Sequence, residues 1–304
     1  MNLYLSLFFA GLASIFAVIY WLPKKLVSYY LSNYGILHKI ELNYPFNNKK
    51  PIAITIDDVP YGSNSFKEIL DKLDEQKVKV TFFVLSGLVN DKNKELLVRA
   101  VKSGHQLANH GKIDRIHAKL TYEELSNEIS HCNETIEQIY KEAGVKKPNR
   151  NFYRPGVGFL SKNIIKLAKD MSFTITLGLT YPHDPQVPFS EINYNYLKTK
   201  TDPGDIVILH DRSWTSNLLE KFIPWLMENN YQCLTLAEAT ATYEEHLEEK
   251  YSDDTQDTDD SDVSIDLDLE DSNNLSKSTI IKKNLEKVTK DFDEVTQEII
   301  KNLS

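Results

Sequence analysis

Adjacent carboxylates, Asp57 and Asp58, close an apolar run at 52–56. Along a strand their side chains would point to opposite faces, but at a strand's end both can turn toward one pocket. Two carboxylates in one site can divide the work, one ligating a metal ion and the other accepting a proton; a turn or helix cap would use the same pair. His110 and Asp114 are four residues apart, so one helical turn brings imidazole and carboxylate to one face, and both are ordinary zinc ligands. His117 shares that face. Arg154 precedes Pro155-Gly156-Val157-Gly158. An arginine beside an aspartate orients it and lowers its pKa, and the flexible backbone of Gly156 and Val157 can present amides to an oxyanion. His210 ends the apolar run 206–209 and is placed to act as a general acid. The proline-rich loop 181–186, with His183 and Asp184, and Trp214 are candidates to line a substrate groove, or are structured loop. The chemistry that these types allow is metal-assisted hydrolysis.

Such groups need a scaffold that delivers several strand ends to one place. From 51 to 240 strand-like runs alternate with helical periodicity: strands at 52–56, 80–85, 106–109, 152–154, 173–177, 205–209 and 232–235, helices at 65–76, 94–103, 122–143, 162–170 and 217–229. That alternation predicts an α/β fold with mostly parallel strands, a small or incomplete barrel with its site at the strands' carboxyl ends.

The chain has 304 residues, 41% of them hydrophobic, enough for one large domain with appendages. Of the formal charge of -9, residues 252–304 hold 15 acidic and 6 basic side chains, leaving 29 of each sign before them. With a neutral body and an acidic tail, nucleic-acid binding is excluded as the main activity. Cys132 and Cys233 are too few for a disulfide framework or a cysteine zinc site. Residues 3–22 carry no charge and are mostly apolar, long enough for a single membrane-spanning helix. The organisation expected is an anchor or signal sequence at 1–23, a linker at 24–50, the catalytic domain at 51–240, an acidic disordered linker at 241–277 and an amphipathic helix at 278–304. In that last helix Ile281, Leu285, Val288, Phe292, Val295 and Ile299 form a heptad seam for packing or self-association. Lys24 and Lys25 would put the body in the cytoplasm by the positive-inside rule, whereas a domain acting on external glycan lies outside the cytoplasm or in a lumen; orientation stays open.

In this order the runs resemble the NodB-like polysaccharide deacetylases, carbohydrate esterases of the chitin and peptidoglycan deacetylase type, over roughly 51–239. Thr55-Ile56-Asp57-Asp58 matches the first family motif, 104–110 the run into the second, Arg154-Pro155 the third and Leu209-His210 the last. The resemblance implies Asp57 as catalytic base, Asp58 as metal ligand and a distorted or incomplete (β/α) barrel. Two positions depart from the pattern. Asp114 stands where the family has a second histidine, giving an Asp58-His110-Asp114 set, and Val157 replaces the usual tyrosine. Asn-His-x-x-x-Asp, Tyr-Pro-His-Asp-Pro and Leu-His-Asp-Arg-x-Trp mark a divergent branch. The extra carboxylate leans the site toward harder metals.

The expected function is hydrolysis of N-acetyl groups on an amino-sugar polymer or oligomer, with zinc, cobalt, nickel or manganese as the divalent ion. Arg154 fixes Asp57, and His210 protonates the leaving amine. Two alternatives remain: hydrolysis of another amide or an acetyl ester on the same fold, and a decayed, membrane-tethered glycan-binding or scaffold protein.

Overall fold

A computed structural model of the chain describes residues 24–40, 42 and 48–240. The expected apolar span at 3–22, the acidic segment and the heptad helix lie outside those residues. Among the described residues no helix is long and apolar enough to cross a membrane.

The elements are α1 (Lys24–Asn33), β1 (Lys50–Val59), α2 (Ser63–Gln76), β2 (Thr81–Val84), α3 (Lys94–Lys102), β3 (Gln106–Asn109), α4 (Tyr122–Ala143), β4 (Asn151–Tyr153), α5 (Lys162–Asp170), β5 (Phe173–Ile175), α6 (Ser190–Lys200), β6 (Ile206–His210), α7 (Thr215–Glu228) and β7 (Tyr231–Cys233). The strands form one parallel sheet in the order β5-β4-β3-β2-β1-β6, with β7 on the start of β1. β1 is buried from Pro51 to Val59, as a central parallel strand covered on both faces must be. Beyond β5, Thr180 bridges to Val207 of β6, and Leu37 to Thr176, so the two edges of the sheet are loosely joined as in an incomplete barrel.

The two faces of β1 differ in chemistry. Ile52, Ile54 and Ile56 pack with Phe66, Phe82 and Phe222 under the helices. Ala53 faces an inner cluster with Phe83 and Phe152, and the same inward register continues through Thr55 to Asp57. The inner face thus turns from apolar to polar toward the carboxyl end of the strand. Local signals hold the longest helix: Thr121 and Glu124 form a capping box at the start of α4, and Gly144, at φ 67°, ends it in the left-handed conformation.

Two elements differ from expectation. Much of the stretch expected as a linker at 24–50 is folded onto the domain: α1 buries Leu31, Ile36 is 4% exposed, and Lys24 Nζ lies 2.6 Å from the buried Asp205 carboxylate. α6 was not expected, because its sequence SEINYNYLKTK shows little apolar periodicity and buries only Asn193 and Leu197.

Candidate active site

The first carboxylate stays in the ladder, where Asp57 is the register partner of His210 on β6. Asp58 leaves it: its φ is 62°, and the β1–β2 register shifts between Ile56 and Val59. Aspartate tolerates the left-handed region better than most residues, and a bulge there re-aims a side chain. Adjacent residues that alternation would separate therefore share one pocket. His110, just past β3, has its Nε2 3.5 Å from Asp58 Oδ1 and 3.9 Å from Asp57 Oδ2. Its Nδ1 donates to the Arg154 carbonyl at 2.7 Å, which leaves Nε2 of the neutral ring with a lone pair toward the carboxylates. Burial works against charge on His110, but Asp57 and Asp58 outweigh it and raise its pKa to about 8. Burial likewise opposes charge on Asp58, yet His110 first, then His210 and Arg212, hold that carboxyl well below the usual range.

Arg154, 2% exposed, is fixed on three sides. Nη1 donates to Asp57 Oδ1 at 2.5 Å and to Thr55 Oγ1 at 2.8 Å, Nε donates to the Thr176 carbonyl, and the guanidinium lies 4.0 Å from the Phe83 ring centre. A planar fork held this way orients Asp57 through one oxygen and leaves Oδ2 unclaimed by Arg154. His210 is held from the other side. Asp184, fully buried, accepts from the His210 amide through Oδ2 at 2.8 Å and pairs with Nδ1 through Oδ1 at 2.9 Å. Burial disfavours the imidazolium, but Asp184 chiefly, with Asp57 and Asp58, raises the pKa of His210. The Tyr181 ring stands 5.5 Å from the imidazole.

Asp57, Asp58, His110, Arg154 and His210 are thus brought together. Asp114 lies on the solvent-facing loop after β3, near enough to the others that the charge of Asp58, after loss of hydration, raises its pKa. Among the described residues no three His, Cys, Asp or Glu side chains gather closely enough to grip an ion. The donors still fit a divalent ion in chemistry, and Asp58 with His110 fits in alignment, because the second-nitrogen contact of His110 is the one that metal-ligating histidines make.

Other expected roles change. The Gly156 amide donates to His117 Nδ1 at 3.0 Å, so it is not free for an oxyanion; a Cβ there would meet the Arg115 carbonyl oxygen at 2.2 Å. Val157, at φ 63° and 58% exposed, remains the one backbone candidate of the pair. Asp184 serves His210 rather than a substrate. His183 packs its ring against Tyr181, with centroids 4.3 Å apart, and the indole nitrogen of Trp214 is buried without a hydrogen-bond partner, so no contact assigns Trp214 to the site. His117, which was expected to share a face with His110 and Asp114, is fully buried and held by Tyr153 and Gly156. Arg212 was missed as a site residue: Nη2 donates to Asp58 Oδ2 at 2.7 Å. Its sequence signal is its place in the Leu-His-Asp-Arg-x-Trp run, two residues after His210, which says nothing of its contact with Asp58.

The polysaccharide deacetylase family model matches residues 46–176. A peptidoglycan-N-acetylglucosamine deacetylase of Bacillus cereus is 31% identical over 198 residues, 63% of this chain and 89% of that protein. Among solved structures, a CE4 family pseudoenzyme from Bacillus anthracis superposes with a TM-score of 0.57 at 25% identity, covering 63% of this chain and 66% of that one. A family 4 acetyl xylan esterase from Clostridium thermocellum, in complex with a cobalt ion, does so with 0.56 at 28% identity, covering 63% and 91%. The chain belongs to the polysaccharide deacetylase family, and is a hydrolase of that family's carbon–nitrogen type.

Proposed function

We propose that the chain removes N-acetyl groups from an amino-sugar glycan of the chitin or peptidoglycan kind, with Asp57 as base and His210 as acid. The observation that carries this reading is their pairing. Asp57 and His210 face each other in register at the ends of neighbouring strands, each locked by a partner of opposite charge, Arg154 and Asp184.

Asp57, with Oδ1 held by Arg154, takes the proton of the attacking water on Oδ2. His210, with Nδ1 held by Asp184, keeps Nε2 to protonate the departing amine; its raised pKa keeps it charged for that step. The Val157 amide is the backbone candidate to receive the developing oxyanion. Asp58, His110 and Asp114 would hold a divalent ion, with zinc the first choice. When bound, it supplies Lewis-acid polarisation of the acetyl carbonyl. Exposed Tyr61, Ile113 and Val157 follow β1, β3 and β4 and offer an apolar rim for sugar rings.

The test is acetate release from N-acetylated chitooligosaccharides and peptidoglycan fragments, beside formate release from a formamide and acetate release from an acetylated xylan. Acetate from the amino sugars supports the reading. Release from xylan alone would move the assignment to an ester, and release from none would favour a decayed site.

A further inference from the structure

One charged side chain in the site has no part in the chemistry above. Arg212 donates through Nη2 to Asp58 Oδ2 at 2.7 Å and through Nη1 to the Asp211 carbonyl at 2.8 Å, and its guanidinium lies 4.1 Å from the centre of the Tyr61 ring. Its side chain is 14% exposed, so it is not a loose surface cation. The walls of its cradle are braced. Asp211, fully buried, accepts from the Tyr61 amide at 2.8 Å, the Gly62 amide and the Ser65 hydroxyl at 2.6 Å, which ties the start of α2 to the end of β6. Tyr61 and Asp211 are thereby fixed to each other, and Arg212 is fixed between them.

That position sets a conflict over one carboxylate. Asp58 Oδ1 faces His110 Nε2, and Asp58 Oδ2 is taken by the guanidinium. A divalent ion that uses Asp58 either displaces Arg212 or binds within a few ångströms of a fixed positive charge. At such distances, and at 3% exposure of Asp58, like charges repel with little screening by salt. Asp114 then has a purpose that a neutral imidazole would not serve: its carboxylate offsets the charge that Arg212 brings.

We infer that Arg212 is a built-in counter-cation of Asp58 that competes with divalent ions for this carboxylate and keeps the site's affinity for them low, so that loading depends on the supply of ion. The inference rests on the reading of Asp58, His110 and Asp114 as ligands. In this arrangement Arg212 is a positioning residue, acting on the ion through Asp58 and not on the substrate.

The experiment is titration of the full chain, freed of metal, with Co²⁺ alone, followed by calorimetry and by cobalt's visible absorption. The proteins are the wild type, Arg212→Gln, Arg212→Lys, Tyr61→Ala and Asp58→Asn. Glutamine keeps a neutral donor for Asp58, lysine keeps the charge, and Tyr61 is 61% exposed, so its loss loosens the cradle without touching the core. Arg212→Gln should bind Co²⁺ at least ~10-fold tighter than wild type, a difference of ~1.4 kcal/mol. Tyr61→Ala should shift the same way by less, and Arg212→Lys should stay near wild type. Equal or weaker binding by both Arg212→Gln and Tyr61→Ala, with binding still lost in Asp58→Asn, overturns the inference and leaves the ligand reading standing. No binding by any of the five overturns both.

Discussion

The two halves of the site are built differently. The proton-handling half pairs Asp57 with Arg154 and His210 with Asp184: three groups at or near strand ends and one on the 181–186 loop, all little exposed and each pinned by an opposite charge. The ion-handling half joins two such groups, Asp58 and His110, to Asp114 on an exposed loop, and Arg212 already holds one Asp58 oxygen. Buried groups held by an ion pair are pre-organised; an exposed group on a loop is not, and that half is where affinity can be tuned.

Breaking the first half should cost most. Asp57→Asn keeps the shape and an acceptor for Arg154 but removes the proposed base, and kcat should fall by ~10²- to 10⁴-fold with Co²⁺ affinity within a few-fold of wild type. A variant as active as wild type would take Asp57 out of the mechanism and erase the contrast between the halves.

Asp184→Asn sharpens it. Asp184 raises the pKa of His210, and the acid must carry its proton, so the rate is present below that pKa and lost as pH rises through it. Without the carboxylate the pKa falls, and the alkaline limb of kcat should move to lower pH, with a ~10- to 100-fold loss at neutral pH. An unmoved limb would mean that another group is the acid.

The smallest effect concerns the scaffold that both halves share. His105 is buried against the Phe82 ring; its Nδ1 accepts from the Val80 amide, and its Nε2 has no partner. Burial lowers its pKa to about 4 from 6.5. The folded state therefore resists a proton that the unfolded chain accepts, so this contribution to stability is whole above pH ~6.5 and fades as pH falls toward ~4. His105→Asn keeps an acceptor without the titration. Its unfolding free energy should lose part of the wild type's decline between those pH values, up to ~2–3 kcal/mol, while His117, lowered to about 4 by burial and then by His110, still declines over the same range. Parallel declines in the two proteins would exclude His105 as the source.

What was legible follows the same division. Asp57, Asp58, His110, Arg154 and His210 each end an apolar or aromatic run, and a strand end is a local signal. α4 announced itself by its helical period over 122–143. Arg212 did not, because its partner Asp58 is 154 residues away and no spacing encodes that contact. Asp184 looked like loop chemistry until its oxygens met His210. Gly156 was assigned an amide it does not have free, since His117 claims that amide across 39 residues. α6 buries too little to leave a period, and α1 was hidden by the apolar run just before it.

The ion pair at Lys24 has a mechanical meaning. Asp205, which it grips together with the Thr180 hydroxyl, is the residue immediately before β6, and β6 ends at His210. Lys24 also donates to the Lys200 carbonyl at the end of α6. Lys24 is thus tied to the foot of the strand that carries the proposed acid. It fastens the start of α1 to the foot of β6 and the end of α6 at one point, so the first described helix and the strand that ends at His210 share a single anchor.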